Sequence, residues 1–246
     1  YIRLHTNYSY HRAAVLRGLG LPAATASPEQ VARAAALRDA EALETEVVAA
    51  GGCAAKLRSP TEWNAHPQGQ SIANAALFDL TLTPAPSPAL PAATAAVSSR
   101  PLSGLRVLDL TRVIAGPIGT RLLAAYGADV LRVDPPGFHE VGALLCDITA
   151  GKRRAALDLK QAEDRAHFLG LVREADLIVH GYRNGALSAL GLGNAVLREH
   201  NPSAVIVCHD AYGWSGPWAE RRGFDSLVQM SCGIAWRGRE LAGTGK

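Results

Sequence analysis

The chain has 246 residues, 48% of them hydrophobic and 19% charged, with a formal net charge of +3. That is enough to bury a core and to form one or two domains. The basic residues are scattered rather than gathered in a stripe, which argues against nucleic acid as a partner and leaves a mild pull on anionic ligands. Cys53, Cys146, Cys208 and Cys232 lie far apart, with no CxxC pair and no histidine at ligand spacing. Neither a disulfide framework nor a metal site is expected, and a reducing cytoplasm fits. No apolar run reaches the roughly 18–20 residues of a membrane span, and no charged-then-apolar leader opens the chain, so no membrane association is expected. From the start on Tyr1 instead of Met, a fragment, a processed product or a renumbered chain is expected.

Residues 1–80 read as a small helical or α+β domain. YIRLHT is a candidate strand, and residues 10–19 a helix stopped by Gly20 with Pro22 beyond. Ser27-Pro28-Glu29-Gln30 has the form of a capping box with proline in the first helical position, and Ser59-Pro60-Thr61-Glu62 repeats it. His5, His11 and His66 read as ordinary surface or half-buried histidines. Residues 81–100, rich in Pro, Ala, Ser and Thr, cannot bury enough surface to fold alone and read as a linker.

From residue 101 to 246, strands and helices alternate. Strands are expected at 106–110, 129–134, 154–159, 176–180 and 204–208, with helices at 119–126, 161–174 and 194–200. Short strands that are apolar throughout and separated by helices predict a doubly wound, mostly parallel, Rossmann-like α/β sheet covered on both faces. Ligands of such sheets bind where strand ends feed helix starts. The loop after the first strand, Thr111 to Pro117, carries Gly116 to let backbone approach a ligand and Pro117 to begin a helix whose N–H groups could hold a phosphate. Asp134 closes the second strand, where an adenine-ribose acid sits in dinucleotide enzymes. The three-glycine fingerprint is absent, however, so the residues themselves specify only a nucleotide pocket, with NAD as one alternative.

Five blocks in order then carry a resemblance: PLSGLRVLDLTRVIAGPIGTRLLAAYGADVLRVDPP, GKRRAALDLK, ADLIVHGYRNGALSALGLG, LREHNPSAVIVCHDAYGWSGPWAERRGFD and SLVQMSCGIA. They resemble the family III CoA-transferases, the group of formyl-CoA transferase, carnitine-CoA transferases and α-methylacyl-CoA racemase. Residues 1–80, with AAGGCAAKLRSPTEWNAHPQ, resemble the family's small domain, which here precedes the large one and implies a duplicated or rearranged longer chain. The resemblance implies an acyl-CoA:carboxylate CoA-transferase with coenzyme A as substrate and no metal. Its partners would be an acyl-CoA and a carboxylic acid, and its assembly an intertwined homodimer. It places Val113, Ile114 and Ala115 against CoA, Lys152 near the phosphates with Arg153 and Arg154 beside it, and Tyr182 and Arg183 by the nucleotide.

The departures count too. Pro135-Pro136, Gly181 and Ala189 stand where the family often has a basic residue, Asn and a basic residue, which would either weaken CoA binding or shift phosphate contacts to Arg132 and Arg183. In the family an aspartate carboxylate attacks the thioester to give a mixed anhydride. The released CoA thiolate converts this to aspartyl-CoA, from which the incoming acid takes CoA. That aspartate is expected beyond Lys246, which leaves the α/β domain incomplete at its C-terminal end, and Asp225 reads as structural. Phe224 occupies the place of the racemase branch's histidine and cannot carry a proton. The alternatives are a non-catalytic half supplying dimer or substrate contacts, and an NAD- or other nucleotide-dependent enzyme.

Overall fold

The computed structural model describes residues 1–22, 26–84, 100–138 and 140–243. Most of the expected linker therefore lies outside the described residues. The elements in chain order begin with β1 (Ile2–Leu4), α1 (Ser9–Gly18), α2 (Pro28–Ala36), α3 (Ala40–Ala49), β2 (Ala54–Lys56), α4 (Pro60–Ala65) and α5 (Pro67–Ile72). There follow β3 (Arg106–Leu110), α6 (Ala115–Ala125), β4 (Asp129–Asp134), α7 (Gly142–Ile148), β5 (Arg153–Ala156), α8 (Ala162–Glu174) and β6 (Leu177–His180). The chain ends with α9 (Asn194–His200), β7 (Val205–Cys208), α10 (Asp225–Ser231) and α11 (Ile234–Leu241). They form two compact units, Tyr1–Phe78 with Ala211–Lys246, and Asp79–Asp210.

The first unit is α+β. Both capping boxes form: Ser27 with Gln30, and Ser59 with Glu62, each closing in both directions. β1 pairs antiparallel with β2, over a core of Val15, Leu43, Val47 and Ala54. The sequence division put residues 211–246 with the α/β domain, whereas here they pack with residues 1–78. Leu227 is buried with Cys53 and Ala55, and Arg58 N donates to Met230 O at 2.9 Å. Gly233 lies so close that a Cβ would come within 2.7 Å of Pro60 N. Glu44 seals the arrangement, accepting from Arg58 (2.7 Å) and Arg221 (2.6 Å).

His5 and His11 are buried rather than at the surface. His5 stacks on Phe224 with ring centroids 3.7 Å apart, and His11 Nε2 lies 3.5 Å from Cys53 Sγ. Burial, aided by His5 and Arg222, pushes the His11 pKa down to about 4, and burial with Arg3 lowers His5. Because the folded pKa lies below the ordinary 6.5, the unfolded chain binds the proton more readily. The stabilisation is complete above about pH 6.5 and is lost as pH falls toward about 4. The unit is therefore expected to lose on the order of 2 kcal/mol across that window. Urea melts at pH 7.5 and 4.5 check this, and His11→Phe should flatten the difference; an unchanged pH dependence in that variant would refute it.

The second unit holds a five-stranded sheet in the order β5-β4-β3-β6-β7, parallel in every pair. Successive β3 side chains point to opposite faces. Leu108 and Leu110 enter a core with Phe168, Val172, Ile178 and Leu197 under α8 and α9. Val107 meets Val130, Val179 and Ala124 beneath α6. The doubly wound parallel sheet expected from the sequence is thus present. The covering is incomplete at edge strand β7, where Val205 and Val207 are 59% and 42% exposed. The chain first runs outward from β3 through β4 to β5, then returns to place β6 on the other side of β3. The loops after β3 and β6 consequently meet at a topological switch point.

Candidate CoA-binding site

The loop Thr111–Ile114 leaves β3 and feeds α6, which begins at Ala115, ahead of Pro117. Proline in the first turn costs no helical bond, since its missing N–H would have no partner there. Ile114 occupies the N-cap position without a side-chain cap, and Ile114 and Ala115 are exposed. Val113 has φ 68°, the only positive φ outside glycine among the described residues. For a β-branched residue this is a strained conformation.

Beneath the loop lies a buried ion pair. Lys152 Nζ donates to Asp109 Oδ2 (2.8 Å), Pro117 O (2.8 Å) and Thr120 Oγ1 (2.7 Å), and neither charged side chain is exposed. Thr111 donates to Asp109 through its N–H and its hydroxyl. Burial pushes the Asp109 carboxyl up, but the bonds from Lys152 and Thr111 outweigh it and hold the group below its ordinary range. Burial lowers Lys152 by more than Asp109 restores. All three ammonium donors of Lys152, expected near the phosphates, are spent inside the fold, on Asp109 and the first turns of α6.

Arg153 is directed elsewhere. It opens β5 and pairs with Asp129, the first residue of β4, at 2.6 Å. Both residues therefore sit at the amino end of the sheet, opposite the ligand-binding strand ends. Side chains alternate along a strand, and it is Arg154 that reaches the carboxyl end, 3.2 Å from Asp134 Oδ2. Arg112 (3.1 Å) and Arg132 (3.0 Å) converge on the same carboxylate, and Arg132 also meets Glu140 at 3.1 Å. Three guanidiniums face two carboxylates there. Both Asp134 oxygens are taken, which leaves none open for a ribose hydroxyl.

Across the switch point, Tyr182 is half-buried against the α8–α9 core, and burial raises its hydroxyl pKa. Arg183 and Gly181 are exposed. Sequence reasoning missed His209. A Cβ at Gly116 or Gly181 would come within 2.7 Å and 2.6 Å of its Nε2. Gly116 thus makes room for Thr111 and His209, and Gly181 gives the imidazole its room. On the other face, His180 Nε2 lies 2.9 Å from Cys208 Sγ and 3.3 Å from Asn194 Oδ1. Burial lowers the His180 pKa and raises that of Cys208, so at neutral pH this is a neutral imidazole beside a protonated thiol. Among the described residues no group of three or more His, Cys, Asp or Glu could hold a metal ion, and no helix is long and apolar enough to cross a membrane.

The family model described as "CoA-transferase family III" matches residues 102–244. The chain belongs to CoA-transferase family III. It is 36% identical over 186 residues to "Acetyl-coenzyme A transferase nodX" of Hypoxylon pulicicidum, covering 72% of this chain and 31% of that protein. It is 34% identical over 152 residues to "Acetyl-CoA:oxalate CoA-transferase" of Acetobacter aceti, covering 57% and 39%. A crystal structure of Rv3272 from Mycobacterium tuberculosis, in its orthorhombic form, superposes with TM-score 0.51 at 34% identity, over 55% of this chain and 40% of that one. The chain thus spans only 31–40% of the length of these relatives.

Proposed function

We propose that the Asp79–Asp210 unit binds CoA at the β3–β6 switch point, as part of an enzyme that moves CoA between an acyl-CoA and a carboxylic acid. The observation that carries this is the uncapped, exposed start of α6 beside the guanidinium cluster on Asp134. Uncapped helix N–H groups and guanidiniums both favour phosphate oxygens, and CoA carries a 3′-phosphate and a pyrophosphate. Val113, Ile114 and Ala115 would line the pantetheine path, Tyr182 and Arg183 would flank the nucleotide, and Arg154 and Arg112 take the phosphate role first expected of Lys152 and Arg153. The saturated Asp134 weighs against a dinucleotide cofactor.

The reaction needs a carboxylate nucleophile. Asp109 is locked in its ion pair and Asp134 lies under three guanidiniums, while Asp225 holds Gln229 in the first turn of α10. This supports an aspartate outside these 246 residues. A homodimer in the cytoplasm belongs to the same proposal. A second reading, a half that shapes a CoA-transferase without catalysing, is favoured by the internal use of Lys152 and the amino-edge place of Arg153.

Calorimetric titration with CoA decides between binding and non-binding. Arg154→Ala is expected to weaken CoA about tenfold, the worth of one charge-assisted hydrogen bond. Titrations with NAD should show no heat. Binding of NAD but not CoA would overturn the proposal.

A further inference from the structure

Val113 holds an unfavourable backbone conformation at the centre of the proposed ligand loop, and something must hold it there. Its N–H donates to Glu140 Oε2 at 3.1 Å. The Glu140 side chain is 2% exposed, and the same oxygen accepts from Arg132 Nη2 at 3.1 Å. Arg132 is wholly buried and its Nε is fixed on both oxygens of Asp134. Arg112, the neighbour of Val113, ties the same loop to Asp134 and to Val133 O. A rigid chain of charge-assisted bonds therefore runs from the end of β4 to the amide of one strained residue. On its far side, the backbone turns Ile114 and Ala115 out to solvent.

We propose that Glu140 is a positioning residue, which holds Val113 in its left-handed turn and thereby presets the Ile114–Ala115 backbone for CoA. This rests on the reading that the loop takes CoA. A left-handed valine costs enough that, without its partner, the loop relaxes to ordinary backbone angles. CoA must then restore the turn at the expense of affinity. The role is distinct from general stabilisation because glycine adopts the turn freely. With glycine at position 113, the loop no longer depends on Glu140.

The test is a set of CoA titrations by calorimetry on the full chain, with thermal unfolding of each variant alongside. Glu140→Ala is expected to weaken CoA about tenfold, and Val113→Gly combined with Glu140→Ala to come within about threefold of Val113→Gly alone, which carries any loss of the valine side chain itself. Both Glu140→Ala variants leave Arg132 short of the same partner, so loss of stability alone predicts no recovery. If Glu140→Ala does not fold, Glu140→Asp takes its place, alone and with Val113→Gly: it keeps a carboxylate near Arg132 but is too short for the Val113 amide. Unchanged CoA affinity in the single variant, or no recovery in the double, overturns the inference. If the parent chain itself gives no heat with CoA, the ligand reading falls and amide exchange decides the rest. Faster exchange at Val113–Ala115 in the Glu140 variant upholds the positioning role, and unchanged exchange overturns it.

Discussion

Replacing Lys152 with methionine is expected to destabilise the Asp79–Asp210 unit by about 3–5 kcal/mol, the usual penalty for stripping one partner from a buried ion pair. Methionine fills much of the lysine stem, so little of the loss comes from a cavity. The loss comes from Asp109, which would keep its hydrogen bonds from Thr111 and Thr120 but no opposite charge within the fold. The carboxyl would then take up a proton at higher pH, and the variant should recover part of its stability as pH falls, contrary to the parent pair. Far-UV circular dichroism melts check the magnitude, and amide exchange in β3 and β6 locates it. Lys152→Met with Asp109→Leu is the informative double, because replacing both partners by apolar groups removes the uncompensated charge. Recovery of most of the loss in the double, against less than about 1 kcal/mol lost in the single, separates a true buried pair from an incidental one.

Much of the second unit was legible in the sequence because its signals are local. Apolar strands of four to six residues, bounded by helices, specified the parallel sheet, and helix 194–200 falls where expected. Ser27 and Ser59 announced their helices because a capping box is closed by residues three apart. The site was less legible, since a motif gives neighbourhood and not direction. GKRR puts three cations together in the chain, yet the structure sends Lys152 inward, Arg153 to the amino end and Arg154 to the carboxyl end. Strand alternation alone separates Arg153 from Arg154 in direction. The level each reaches depends on the β4–β5 register, Leu131 opposite Arg153 and Asp134 opposite Ala156, which no local pattern encodes. His209 was missed for a similar reason: only the packed fold shows that the absent side chains of Gly116 and Gly181 make its space. The strain at Val113 has no sequence signal either, because valine is the last residue type one would place in a left-handed turn.

A long-range relation within the first unit leads to the second large effect. Glu44 of α3 binds Arg58, fourteen residues on, and Arg221, at a separation of 177 residues. All three side chains are at most 9% exposed. Arg221 lies 3.9 Å over the Trp218 ring and donates to Ala54 O at 2.7 Å, while Arg58 has Glu41 as a second partner at 3.4 Å. Glu44→Ala would leave two buried guanidiniums sharing these lesser contacts. The expected loss is about 3 kcal/mol, toward the low end for a broken buried pair because those contacts remain. Glu44→Gln, which still accepts hydrogen bonds, should lose about half as much. Trp63, Trp214, Trp218 and Trp236 are all the tryptophans in the chain and all belong to this unit, so urea unfolding followed by tryptophan fluorescence reads it selectively. A salt titration adds a control. The penalty should persist at 1 M salt, since solvent ions screen exposed pairs and not one sealed under Trp218. If the penalty disappears with salt, or falls below about 1 kcal/mol, the triad is a surface arrangement of little weight. If it holds, amide exchange in α10 should quicken in the same variant. Arg221 stands four residues before that helix, and Glu44 is what fixes its guanidinium against residues 1–78. The stretch that carries the family's GFD block is then held in place by a glutamate from outside the residues the family model matches.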